Sequence, residues 1–96
     1  MNNKPFSRSE RVSQQVLKTI NDILTREMDL RKYGFITFSS VKMTADLKHA
    51  NLYYSIINPT KKIETINKEL NQLVPVFRKF LSSSLKLRPT PTLKFF

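Results

Sequence analysis

The sequence predicts an α+β domain in which helices cover one face of a small sheet, and three observations predict it. Residues 35–57, FITFSSVKMTADLKHANLYYSII, hold two runs rich in β-branched and aromatic residues with period-two alternation. The polar stretch Thr44 to His49 parts them, which is the pattern of a β-hairpin. An apolar stripe at spacings of three and four precedes the hairpin, and two more such stripes follow it before a short alternating run at residues 92–96. With 96 residues, 40% of them apolar, the chain can close one core, so a single domain over 1–96 is expected, with 1–6 flexible.

Ser7-Arg8-Ser9-Glu10 has the form of a capping box, in which the Ser7 hydroxyl accepts from the Glu10 amide and the Glu10 carboxylate returns to the Ser7 amide. A helix is expected to start there. Val12, Val16, Ile20, Ile23, Leu24 and Met28 form its apolar stripe with Leu17 on the flank, while Arg11, Gln14, Lys18, Asp22 and Thr25 lie opposite. The helix should fray near Asp29, and Gly34, the only glycine, suits the turn into the first strand.

In the second hairpin run Ala50, Leu52, Tyr54 and Ile56 share one face, and Asn51, Tyr53 and Ser55 the other, so the sheet should have a dry side and a wet side. In the first run Ile36 and Phe38 keep one phase while Val41 and Met43 take the opposite one. A β-bulge near Ser39-Ser40 is the way to reconcile them. Asp46 suits bonding to the amides of the turn, and His49 reads as a solvated turn residue.

Asn58-Pro59-Thr60 should stop the strand and open a second helix, with Asn58 or Thr60 as its cap. Ile63, Ile66, Leu70, Leu73 and Val74 form its stripe, and the outer face mixes Lys61, Glu64, Lys68 and Glu69, an ordinary solvated surface. Pro75 lacks the amide for an interior helical bond and disfavours helical geometry at Val74, so a kink or break is expected. Val76, Phe77, Phe80 and Leu81 carry a third helix. Arg88 to Pro91 must be extended, and Thr92 to Phe96 reads as a last strand with Leu93 and Phe95 on one face and Lys94 on the other.

Several function classes are disfavoured. His49 is the only histidine, cysteine is absent and the carboxylates are scattered, so no enzyme, metal or cofactor is expected. No run approaches the roughly 18 apolar residues of a membrane span, and the lack of cysteine suits a reducing, cytoplasmic compartment. The charge is more informative: 17 Lys and Arg against 7 Asp and Glu give +10, which favours a polyanionic partner, nucleic acid first. No acid follows Glu69, so Arg78, Lys79, Lys86 and Arg88 place four cations in eleven residues as candidate phosphate contacts. Arg11 and Lys18 join them from the first helix, partly neutralised by Asp22, although cations of this kind also serve solubility. Tyr33 and Tyr53 are candidate rings for stacking on bases, a role weighed against their value as strand formers.

In the order helix, strand, strand, helix, helix, strand, the chain resembles a type-II KH domain, and ribosome-binding factor A in particular. The resemblance rests on Arg11-Val12 opening the first helix, Ile23-Leu24-Thr25-Arg26-Glu27-Met28 closing it, VKMTADLKHANLY from Val41 to Tyr53, Arg78, and LRPTPTLKFF from Leu87 to Phe96. It covers nearly the whole chain. It implies an assembly factor that binds the small ribosomal subunit late in maturation, assists processing of precursor rRNA, leaves before translation and, in bacteria, is associated with adaptation to cold. The expected partners are the small subunit and its rRNA, met by a monomer without membrane or small-molecule substrate. A KH domain of the usual sort clamps nucleotides with a GxxG loop. This chain has Gln72-Leu73-Val74-Pro75 there, and Leu73-Val74-Pro75 where the resembled family has a small-residue Ala-x-Gly kink. A generic RNA-binding module of KH-like fold, or a protein-interaction domain, would share the same charge and element order.

Overall fold

A computed structural model of the chain describes residues 7–87 and 89–96. It contains helix α1 (Arg8–Arg26), a 3-10 turn (Arg31–Tyr33), strands β1 (Phe35–Met43) and β2 (His49–Ile57), helices α2 (Ile63–Gln72) and α3 (Val74–Ser84), and strand β3 (Thr92–Phe95). The sheet order is β1-β2-β3, with β1 antiparallel to β2 and β2 parallel to β3. A parallel neighbour needs a crossover, and α2, α3 and the segment after them supply it over the dry face.

At the start of α1 the Ser7 hydroxyl accepts from the Glu10 amide at 3.2 Å, and the Glu10 carboxylate accepts from that same hydroxyl at 3.0 Å. Val12, Val16, Ile20 and Ile23 are buried, as the stripe predicts. The helix ends sooner than the stripe does. The amides of Glu27 and Met28 both donate to the Ile23 carbonyl, at 2.8 and 3.1 Å, and this closing turn lets Met28 pack on the core from outside the helix. The 3-10 turn then buries Leu30 and Tyr33. A turn of this length is too short to announce itself by periodicity.

Gly34 holds φ 117, and a Cβ there would lie 2.7 Å from the Asn58 carbonyl oxygen, so the entry to β1 and the exit from β2 touch where a side chain would stand. Between the strands the register passes from Phe38↔Tyr54 to Ser40↔Tyr53, which makes Ser39 the extra residue of the bulge. Phe38 and Val41 thereby both reach the core. On the outer edge of β1 the Asn21 side chain meets the bulge with both ends: Nδ2 donates to the Phe38 carbonyl at 3.1 Å and Oδ1 accepts from its amide at 3.2 Å. Ser13 Oγ accepts from the Met43 amide at 3.2 Å. Helix α1 therefore occupies main-chain groups that an edge strand would otherwise leave open.

The expected cap of α2 is overturned. Lys62 holds the cap position without a side-chain bond, Asn58 takes a left-handed φ of 55, and the Thr60 hydroxyl donates to the Lys32 carbonyl. Thr60 is drawn away because its amide also donates to Tyr33, at 3.1 Å, tying the loop to the 3-10 turn. Ile66 and Leu70 are buried, whereas Ile63, counted in the stripe, is exposed. Leu73 breaks the helical path with ψ 2, and Pro75 sits in the first turn of α3, where its missing amide costs nothing.

Phe77, Phe95 and Phe38 form the centre of the core. Their ring centroids lie 5.0 Å (Phe77–Phe95), 5.5 Å (Phe38–Phe95) and 6.0 Å (Phe38–Phe77) apart. Asn71 of α2 holds β3 as Asn21 holds β1: Oδ1 accepts from the Phe95 amide at 2.9 Å and Nδ2 donates to its carbonyl at 3.1 Å.

Candidate nucleic-acid interface

Burial of one face of α1 sends Arg11 and Lys18 to the other, both exposed and seven residues apart, which is two turns or about 10 Å along the axis. Lys18 lines a shallow groove with Gln15, Asp22 and Arg26 on one wall and Ser84 and Leu85, at the end of α3, on the other. Along that wall Lys18, Asp22 and Arg26 alternate in sign at a spacing of four, and Glu27 adds a second acid, so the groove is electrostatically balanced. The proximity of Lys18 to the end of α3, where Lys86 follows, is a tertiary fact with no signal in the sequence.

Phe77 and Leu81 face the core from α3, which turns Lys79 outward, and Lys86 is exposed in the segment leading to β3. The two ion pairs among the described residues are Arg31–Asp29 at 2.9 Å and Lys61–Glu69 at 3.2 Å, and they involve none of the candidate cations. Arg88 lies outside the described residues.

Arg78 is placed differently from its neighbours. Its Nε donates to the Pro91 carbonyl at 3.0 Å and its Nη2 to the Thr90 carbonyl at 2.9 Å. The guanidinium therefore fixes the path into β3 and is a positioning group for the basic segment. The planar fork of arginine fits two consecutive carbonyls, a geometry lysine does not offer.

Two other charged clusters neutralise themselves. On the outer side of α2 Glu69 accepts from Lys61 at 3.2 Å and from the Tyr33 hydroxyl at 3.2 Å, and bonding to Lys61, above all, holds its carboxyl below the ordinary value. The Arg31 side chain meets Asp29 with two bonds of 2.9 Å, which with the Arg31 amide bring the Asp29 carboxyl down from 3.8 to about 2. In the hairpin turn Asp46 accepts from the Thr44 hydroxyl at 2.6 Å and the Lys48 amide at 3.0 Å, the turn-bonding role expected of it. His49 opens β2 and its Nδ1 is 2.6 Å from the Thr92 hydroxyl across the parallel pair.

Of the two candidate stacking rings, Tyr33 is corrected: it is only 2% exposed, under the ammonium groups of Lys32 and Lys61. Tyr53 stays on the open face of the sheet, stacked on Phe96 with centroids 5.3 Å apart. Among the described residues no three His, Asp or Glu side chains cluster to hold a metal, and no helix is long and apolar enough to cross a membrane. The arrangement supplies positive charge and hydrogen-bond donors on the outside of α1 and α3.

Known proteins share both the sequence and the fold. The family model described as Ribosome-binding factor A matches residues 8–96. A ribosome-binding factor A of Legionella pneumophila (strain Lens) is 36% identical over 99% of this chain and 76% of its own length. That of Caldicellulosiruptor bescii is 38% identical over 94% of this chain and 70% of its own. The crystal structure of ribosome-binding factor A from Thermus thermophilus superposes with a TM-score of 0.75 over 92% of this chain and 93% of that one, at 16% identity, a likeness of fold. A homology model of the Thermus thermophilus factor, as fitted into a cryo-EM map of a 30S complex, gives 0.70 over 95% and 92%, again at 16% identity. A match that runs from the first turn of α1 to the end of β3, in sequence and in architecture alike, leaves one assignment: the chain belongs to the ribosome-binding factor A family.

Proposed function

We propose that this chain is a ribosome assembly factor that binds the small ribosomal subunit and its rRNA during late maturation and supports processing of the precursor rRNA. It acts in the cytoplasm, as a monomer, and matters most in the cold. The family match over residues 8–96 carries this reading. The exposed Lys79 and Lys86, in a stretch without acid after Glu69, give it a physical basis. Binding energy is the whole mechanism: the protein holds one rRNA conformation over its competitors by its differential affinity for the two. Arg11 and Lys18 on α1, and Lys79, Lys86 and Arg88 beyond the proline break, neutralise phosphates and release counterions. Arg78, bonded to the Thr90 and Pro91 carbonyls, holds the path into β3.

The test is a gradient sedimentation profile. The protein should travel with free small subunits and be missing from translating ribosomes, while a permanent ribosomal component would be found in both. The combined variant Lys18→Glu, Lys79→Glu and Lys86→Glu should lose the subunit without loss of fold. Arg78 is left intact in it, because removing that side chain would leave the Thr90 and Pro91 carbonyls without their donor and loosen the path into β3. Affinity should fall steeply with salt, with a log–log slope of roughly −0.7 to −0.9 for each phosphate neutralised. Salt-insensitive binding would point to a protein partner instead. Depletion should leave unprocessed small-subunit rRNA ends, most visibly at low temperature.

A further inference from the structure

Helices cover one face of the sheet, and among the described residues no element packs on the other face. The residues that stand on it form ordered rows. Lys42 pairs with Asn51, and Asn51 with Lys94, so two cations flank an amide across all three strands. In the next row Ser40 pairs with Tyr53, and the Tyr53 ring lies against that of Phe96, with centroids 5.3 Å apart and planes 21° apart. The Lys94 ammonium sits 5.2 Å from the centre of the Phe96 ring. The three strands contain no Asp or Glu, so no strand side chain places an acid on this face.

We propose that the bare sheet face is a second RNA contact surface, which stacks an unpaired base of single-stranded RNA on the Tyr53–Phe96 pair and holds the adjoining phosphates with Lys42 and Lys94. Each part follows from the layout. Rings are sequence-tolerant platforms for bases, because every base has a π-face. Phe96 is 46% exposed, and the ring face of Tyr53 turned away from it looks toward β1, where the paired residue is only a serine. The cations stand one pleat, about 7 Å, from the ring row, within reach of the phosphates of a nucleotide stacked there. The Asn51 amide between them offers both a donor and an acceptor to a base edge. A protein partner is disfavoured by the two lysines that flank Asn51 across the row, since charged residues are depleted at the core of protein interfaces. The proposal rests on the reading that the partner is RNA, yet it uses a face opposite the helices and none of the cations assigned to subunit binding.

The test uses a single-stranded RNA hexamer and an RNA duplex of the same composition, with the fold of each variant checked by thermal melting. The wild type should bind the hexamer in preference to the duplex. Tyr53→Thr keeps a good strand former but removes the ring and should weaken hexamer binding about tenfold, and Tyr53→Phe should restore it. Lys94→Glu should weaken it as well, while Lys68→Glu, on the solvated face of α2, should not. If the protein travels with small subunits but ignores the hexamer, or binds it equally well without the Tyr53 ring, the proposal is overturned and the assembly-factor reading stands. If the hexamer is bound and lost with the ring but subunits are ignored, the proposal holds and that reading fails.

Discussion

At Gly34 the chain has room for a hydrogen and nothing larger. Gly→Ala replacement ordinarily stabilises slightly through the unfolded chain, but here φ 117 and a carbonyl oxygen 2.7 Å from the added carbon reverse the sign. Gly34→Ala should cost about 2 kcal/mol in urea unfolding, by pushing the start of β1 from the end of β2. Asp46 shows the same economy of position in its charge. The Thr44 hydroxyl first, and then the Lys48 amide, hold its carboxyl below the ordinary 3.8. A depressed carboxyl binds its proton more readily in the unfolded chain, so its contribution is complete above the unfolded value near 4 and is lost as pH falls through the lower folded value. Asp46→Asn should therefore flatten the acid side of the stability profile and leave pH 7 to 9 unchanged in shape, as thermal melts across pH would show.

Among the elements, the sheet is held at its two edges by helices acting through side-chain amides. Asn21 and Asn71 each offer one donor and one acceptor to a single strand residue, Phe38 and Phe95, as a neighbouring strand would. This explains why polar residues lie among the packed surfaces of two amphipathic helices. Asn71→Leu would leave the Phe95 amide without its partner and should cost about 2 kcal/mol. Amide exchange at Phe95 should rise more than at Leu93, which distinguishes loss of the staple from general destabilisation. The bulge at Ser39 is the companion device in β1, because it lets Phe38 and Val41 both face α1 despite an odd spacing.

For the whole molecule, a domain of this size is stable by about 5–15 kcal/mol, and three phenylalanine rings stand at its centre. Phe77 is fully buried, so Phe77→Ala should remove about 3–5 kcal/mol, read as a lower melting temperature in thermal unfolding. Charge acts at the same scale. A net +10 repels itself in the folded state, so added salt should raise the melting temperature while it weakens RNA binding. Opposite salt responses of folding and binding, measured on one preparation, would separate charge that serves the partner from charge that serves the fold.

The sequence by itself determined what is local and periodic. The helix stripes, the wet and dry strand faces, the bulge, the break at Pro75 and the basic stretch after Glu69 are written in neighbouring residues, since each depends on spacings of two to four positions. The identity of the candidate cations was legible for the same reason. The tertiary structure alone decided which of them stay exposed, which strand β3 joins, and that Tyr33 is buried. Arg78 is bound to carbonyls 12 and 13 residues away, and Asn71 to a strand 24 residues on. No local pattern encodes a partner that only folding brings within hydrogen-bond reach.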